Sequence, residues 1–181
     1  ATATAETPIP RAHWAVEEYI RASGPAWTMV KPNFFMQNLL SSARSIKEQN
    51  RFSLPMGEGT TGMADARDIG AVCAEVLTGQ GHAGKSYEIT GPEVLTFNQV
   101  AERFSEVLGR KIEYVPMPMA QFRERMTGVL KPWHLDAVCA LFQEIADIGL
   151  DHTTDTFRKL IGRDPIPLRQ FIADHAALFR T

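Results

Sequence analysis

The sequence predicts an α/β fold: a parallel sheet with few strands, accompanied by helices and closed by a mostly helical cap. Three observations lead there. Helical and extended patterns alternate over the first two thirds of the 181 residues, as in folds that alternate strand and helix around a parallel sheet. Ala26-Trp27-Thr28-Met29-Val30 is a nearly continuous apolar run stopped by Lys31-Pro32, as expected of a strand buried on both faces. The last third holds helical spacing only.

In chain order, residues 11–23 place Ala12, Ala15, Val16, Tyr19 and Ile20 on one helical face and stop at Ser23-Gly24-Pro25. The apolar strand comes at once after them. Residues 37–49 form a second helix through Leu39, Leu40, Ala43 and Ile46, and residues 51–61, with Pro55, Gly57 and Gly59, read as loop. Asp68 is the expected N-cap of a third helix that carries Ile69, Val72, Cys73, Val76 and Leu77 and closes at Gly79. Residues 86–90 alternate as a strand and end at Gly91-Pro92. Thr96-Phe97-Asn98-Gln99 is a capping box ahead of Val100, Ala101, Phe104, Val107 and Leu108, the clearest helix of the chain. A short strand at 112–115 precedes helices near 118–128, 132–149, 155–161 and 167–179. Three or four strands fall short of the ~5 or 6 of an average sheet, so the sheet reads as incomplete.

Composition narrows the function classes. With 44% hydrophobic and 22% charged residues the chain has the make-up of one soluble globular domain. Nineteen Lys and Arg against twenty-one Asp and Glu leave a net charge of −2, which gathers neither nucleic acid nor an acidic membrane surface. Cys73 and Cys139 form no Cys-x-x-Cys pair and have no clustered His, so a disulfide framework and structural zinc lack support. Two thiols suit a reducing cytosol. No apolar run approaches the roughly 20 residues that span a bilayer, and ATATAETPIPR has no apolar secretory core. The expectation is a cytoplasmic protein, away from membranes.

Several constellations are candidates for chemistry. Gly57-Glu58-Gly59-Thr60-Thr61-Gly62 has the letters of a dinucleotide fingerprint. It lacks the strand running into the glycines, the helix starting at the last one, and an acidic residue about 20 positions on. A flexible glycine loop near a pocket mouth is the preferred reading. His13 and Glu17 share a helix face at i and i+4, either as a ligand-facing pair or as an exposed polar pair. His82, His134, His152 and His175 are scattered, and metal binding is disfavoured. Pro32-Asn33-Phe34-Phe35-Met36-Gln37-Asn38 leaves the carboxyl end of the buried strand, where open α/β folds build their ligand crevice. Its aromatic side chains suit a flat organic ring, with a hydrophobic plug under the next helix as the alternative. In an extended segment Phe34 and Phe35 point opposite ways, one to the pocket and one inward. Met63 is expected in the pocket roof with part of the helical cap. Phe122, Met126, Trp133 and Phe142 are further lining candidates, with core packing the default for most of them. No Gly-x-Ser-x-Gly elbow or Cys–His nucleophile is present.

The order of segments carries a resemblance. His13-Trp14-Ala15-Val16-Glu17-Glu18, Ser23-Gly24-Pro25-Ala26-Trp27-Thr28, and Lys31-Pro32-Asn33-Phe34-Phe35-Met36-Gln37-Asn38 are followed by Asp65-Ala66-Arg67-Asp68-Ile69, Tyr87-Glu88-Ile89-Thr90-Gly91-Pro92-Glu93, Leu108-Gly109-Arg110 and Gly162-Arg163-Asp164-Pro165. In this order, over nearly all of the chain, they resemble NmrA-like proteins, atypical relatives of the short-chain dehydrogenases. The resemblance implies a Rossmann-like sheet over residues 1–115 with substrate-side insertions, and a helical C-terminal cap over 116–181. It also implies that a nucleotide-binding half with a Gly-x-x-Gly-x-x-Gly loop is absent here, leaving the C-terminal portion of a longer protein. NAD(P) would then be bound mainly by that half, which is either a partner or replaced by a homo-oligomer. The Tyr-x-x-x-Lys pair of ordinary short-chain dehydrogenases is missing: His13 stands at the Lys position and Ile9 at the Tyr position. The resemblance thus implies an NAD(P)H-dependent oxidoreductase acting on a small, quinone-like acceptor, or a nonenzymatic NAD(P)-sensing regulator that binds a protein partner. His13, Pro32, Asn33 and Phe34 are expected at the cofactor. Phe35, Met36, Asn38, Met63, Met126 and Trp133 are expected at the substrate.

Overall fold

The computed structural model describes Thr4 and residues 6–180. Helix α1 (Pro8–Ala22) begins on a proline, whose fixed φ suits a first helical turn. It ends at Ser23, whose amide and hydroxyl both donate to the Ile20 carbonyl at 3.2 and 2.7 Å. Strand β1 (Thr28–Pro32) runs into a 3₁₀ turn (Met36–Ser42), α2 (Ala43–Gln49), β2 (Arg51–Phe52) and β3 (Thr60–Thr61). Then come α3 (Ala66–Thr78), β4 (Lys85–Ile89), β5 (Leu95–Thr96), α4 (Phe97–Leu108) and β6 (Glu113–Tyr114). The chain closes with α5 (Met119–Met126), α6 (Pro132–Ile148), α7 (Thr156–Ile161), α8 (Leu168–Asp174) and α9 (Ala176–Phe179).

The fold is α/β, with its strands arranged as three two-stranded sheets among the described residues. β1 pairs in parallel with β4, from Thr28 opposite Lys85 to Pro32 opposite Ile89. β2 pairs in parallel with β6, and β3 pairs antiparallel with β5. The stretch expected as plain loop, 51–61, thus contains two short strands. β1 is also less covered than its apolar run suggests, for only Met29 is buried. It has a strand neighbour on one edge, and α3 packs against it.

Two helix starts differ from expectation. The first half of the 37–49 helix is the 3₁₀ turn. Helix α3 is capped by Asp65, whose carboxylate accepts from the Arg67 amide at 2.8 Å. Asp68 sits in the first turn, fully buried, and ties α3 to the C-terminal segment through Arg163 at 2.7 Å and the Ile166 amide at 2.6 Å. The capping box forms as expected: Thr96 Oγ1 accepts from the Gln99 amide and Gln99 Oε1 from the Thr96 amide.

One apolar core runs through both the alternating part and the C-terminal helices. Phe52 lies 6.0 Å from Phe104, which meets Phe179 edge-on at 4.9 Å. Leu168, Phe171 and Ile172 of α8 bury against α4 in the same core. Arg110 donates to the Ile46 and Phe179 carbonyls at 3.1 and 2.6 Å, satisfying acceptors near the ends of α2 and α9 together.

Burial alone would raise the Asp65 carboxyl. Hydrogen bonds from the Arg67 side chain and amide, and from Gln37, outweigh it and hold Asp65 below its usual 3.8. A carboxyl depressed in the folded state contributes stability above its unfolded pKa and loses it as pH falls through the folded value. Asp65→Asn is therefore expected to lower stability by about 2–3 kcal/mol at pH 7. The deficit should shrink below about pH 4, as read by urea midpoints across pH.

Candidate active site

Parallel strands deliver their following loops to one edge, and here the carboxyl ends of β1 and β4 open onto a cleft of about 1220 Å³. One wall is the first half of α1, with Ile9, Pro10 and His13. The loop after β1 forms the floor, and residues 51–54, α5 and α6, the last packed against α1, complete the lining.

The floor is pinned by backbone hydrogen bonds. Asn33 N donates to the Ile89 carbonyl at 2.8 Å, Ala64 N to Phe34 O at 2.8 Å, and Met36 N to Ala64 O at 2.9 Å. The segment therefore continues as an extended chain beside Ala64, and its side chains alternate. Phe34 packs edge-on to Phe97 at 6.3 Å, while Phe35 is 38% exposed; both border the cleft. Asn33 Oδ1 accepts the Phe34 amide at 2.6 Å, which leaves Nδ2 without a partner among the described residues.

Helix α1 is fastened to β1 by a charged knot. Glu17 bonds Lys31 Nζ at 2.6 Å and Arg21 at 3.0 Å, and the Arg21 guanidinium sits 5.2 Å from the Trp14 ring and 5.1 Å from the Trp27 ring. Burial would raise the Glu17 carboxyl, but Lys31 and Arg21 bring it below the usual range. Glu17 is committed to this knot, not to His13. His13, one turn earlier, borders the cleft, as do Pro32 and Asn33.

Of the residues expected at a ligand, the cleft brings together His13, Pro32, Asn33, Phe34, Phe35, Asn38 and Met126. Met36, Met63 and Trp133 lie elsewhere. Met36 and Met63 are 1% and 3% exposed inside the main core, because alternation from Phe35 turns Met36 back to the side of Phe34 and the Ala64 ladder holds Met63 beneath it. Trp133 is 63% exposed. The cleft face of α6 is His134, Val138, Leu141 and Ile145, and one residue of offset rotates Trp133 about 100° off that face.

The glycine-rich stretch is not a loose rim. It packs on the end of α6: Leu150 N donates to Thr60 O at 2.8 Å, and a Cβ on Gly59 would stand 2.2 Å from the Ile145 carbonyl oxygen. No helix begins at Gly62.

Several cleft residues gave no signal in the sequence. Glu88 at the end of β4 bonds His152 at 2.7 Å, and Thr154 binds both Thr90 Oγ1 and the Glu88 carbonyl at 2.9 Å, so residues 152–154 strap the end of β4. Glu144 accepts the Thr7 hydroxyl at 2.5 Å. These partners lie 64 to 137 residues apart. Gln121 and Arg125, one turn apart on α5, share a face that their spacing could have revealed. No tyrosine borders the cleft among the described residues. Tyr114, buried with its hydroxyl donating to the Leu54 carbonyl at 2.9 Å, is pushed up to about 12 by desolvation. Among the described residues no group of three or more His, Cys, Asp or Glu could hold a metal ion, and no helix is long and apolar enough to cross a membrane.

Residues 6–163 match the model of the NmrA-like family. The chain belongs to that family. It is 38% identical over 180 residues to the NAD(P)H azoreductase of Xenophilus azovorans, covering 98% of this chain and 63% of that protein. It is 31% identical to the (4-alkanoyl-5-oxo-2,5-dihydrofuran-3-yl)methyl phosphate reductase of Streptomyces griseus, covering 97% of this chain and 62% of that one. The crystal structure of the Escherichia coli NADPH-dependent quinone oxidoreductase complexed with NADPH superimposes with a TM-score of 0.83 at 26% identity, over 96% of this chain and 62% of that chain. The chain thus spans less than two thirds of the length of these relatives.

Proposed function

We propose that this chain supplies the nicotinamide end and the acceptor side of an NAD(P)H-dependent oxidoreductase, and that the acceptor is a flat conjugated molecule of quinone or azo type. The observation that carries this is the cleft that gathers the Asn33–Phe34–Phe35 floor, at the carboxyl ends of β1 and β4, with His13 and residues of α5 and α6. The family and the names of its azoreductase and quinone oxidoreductase members support the same reading.

The residues suit one end of a dinucleotide. His13 and the uncommitted Asn33 Nδ2 offer polar contacts at the rim, and Pro32 and Phe34 offer a flat apolar edge. The glycines of 57–62 are occupied in packing, so the phosphate groups are held by other segments of the working protein. When bound, the nicotinamide supplies a hydride. The chain's own part is to orient and cover the acceptor with Phe35, Asn38 and Met126, joined by Phe122 and Phe142, whose rings lie 5.2 Å apart. With no tyrosine bordering the cleft among the described residues, reduction of quinones or azo bonds, whose proton demand water can meet, fits better than carbonyl reduction needing a strong positioned acid. A cytoplasmic setting follows from the use of NAD(P)H and suits the free thiols of Cys73 and Cys139.

NADPH consumption by the complete protein with a panel of 1,4-naphthoquinones and azo dyes tests the proposal. Turnover with some of them is expected. Saturable NADPH binding with no turnover would transfer the site to a sensing role. His13→Ala should weaken NADPH binding roughly three- to tenfold, about 0.7–1.4 kcal/mol, with the urea midpoint unchanged. Unchanged affinity would make His13 an ordinary exposed residue of α1.

A further inference from the structure

We propose that the acceptor taken by this cleft carries an oxyanion, such as a sulfonate, carboxylate or phosphate, and that Arg125, with Arg51 on the same wall, receives it. The inference rests on reading the cleft as the acceptor site. Of the other arginines, Arg67 pairs with Asp65 and Asp174, Arg163 with Asp68, and Arg123 with Asp136. Arg125 stands two residues after Arg123 on the same helix, so its side chain leaves α5 on another face. It borders the cleft one turn after Gln121 and has neither a carboxylate nor a hydrogen-bond partner among the described residues. Arg51 also borders the cleft, and its only side-chain bond among the described residues is from Nε to Gln49 Oε1 at 3.2 Å. Glu113, the acid that feels its charge, is bonded to Lys111 at 2.6 Å.

The two arginines share a wall because of the chain path. Val115 N donates to Phe52 O at 3.0 Å and Met117 N to Leu54 O at 3.1 Å, so residues 51–54 lie alongside 113–117, which lead through Pro118 directly into α5. The acids of the cleft are on other elements and are engaged: Glu88 with His152, Glu144 with Thr7. Phe34, Phe35, Phe122, Met126 and Phe142 line the same cleft. An aromatic ring system with a charged group at one end matches that lining: apolar surface for the rings, guanidinium groups for the oxyanion. A guanidinium meets oxyanions through paired N–H donors.

The test titrates the full chain, without cofactor, with anthraquinone-2-sulfonate and its neutral counterpart 2-(hydroxymethyl)anthraquinone, following tryptophan fluorescence. The sulfonate is expected to bind about tenfold tighter. That ratio should fall below about twofold in R125Q and in about 0.5 M NaCl, whereas R169Q, on α8 and paired with Glu106, should keep it. A ratio near one in the unsubstituted protein, or a ratio retained in R125Q, R51Q and the double variant, overturns the proposal. NADPH consumption with the neutral probe, using the complete protein, reports separately on the oxidoreductase reading. Turnover with a ratio near one removes only the anion claim, and a tenfold preference with no turnover removes only the oxidoreductase claim.

Discussion

Phe34→Ala is expected to destabilise the protein by about 3 kcal/mol, and Phe35→Ala by less than about 1 kcal/mol. The two rings are neighbours in sequence and both border the cleft, but they do different work. The Phe34 backbone is held by Ala64 and by the Asn33 side chain, and its ring packs edge-on to Phe97, itself fully buried beside Tyr114 at 5.6 Å. Truncation there removes ring contacts from the main core, and that core cannot collapse to refill the space while Ala64 fixes the backbone. Phe35 has no such partner and presents a 38% exposed ring to the cleft. Its loss should instead weaken acceptor binding about tenfold, roughly 1.4 kcal/mol. Urea midpoints and acceptor titrations on both variants decide the matter. Equal destabilisation of both, with no separate change in affinity, would make the whole segment core and move the acceptor site away from it.

This division is partly legible in the sequence. Alternation along an extended segment requires Phe34 and Phe35 to diverge, but which one turns inward depends on the ladder to Ala64, a pairing across about thirty residues that leaves no local mark. The same contrast runs through the fold. The α4 capping box and the β4 strand are written in adjacent residues, and both form where the pattern puts them. β2 and β3 are two residues each. They exist because of distant partners, Glu113–Tyr114 and Leu95–Thr96, and periodicity cannot register so short an element. Asp68 has the residue type of an N-cap, yet Asp65 takes that role because Arg67 and Gln37 brace it there, while Asp68 is drawn to Arg163 and Ile166. At the cleft, the position after the buried strand points to Pro32, Asn33, Phe34 and Phe35, all of which border it. Arg51, Arg125, Glu88 and His152 arrive from elements whose approach only the tertiary fold determines. Met36 and Met63 are core residues instead of pocket residues because a soft apolar side chain is equally at home in either place.

Gly59→Ala and Gly91→Ala are each expected to lower stability by at least about 3 kcal/mol, while Gly70→Ala raises it by about 0.5–1 kcal/mol. A Cβ at Gly59 would stand 2.2 Å from the Ile145 carbonyl oxygen, and one at Gly91 would stand 1.9 Å from the Met63 carbonyl oxygen. Both obstacles are backbone, so no rotamer change relieves them. At Gly59 the clash pushes the glycine-rich stretch away from α6, whose last turn is joined to it through Leu150 and Thr60. At Gly91 it displaces residues 62–64, and through Ala64 the anchor of Phe34 and Met36, so damage spreads to the cleft floor. Gly70 is an exposed interior position of α3, where an added Cβ would have nothing within 4 Å; alanine there restricts the unfolded chain and favours the helix. The outcome also settles what the glycines of 57–62 are for. If they serve packing, Gly59→Ala loses stability first, and NADPH affinity falls only to the extent that folded protein is lost. If they cradle phosphate, Gly59→Ala keeps its urea midpoint within about 1 kcal/mol of the parent and loses NADPH binding outright, which would return residues 57–62 to the cofactor site.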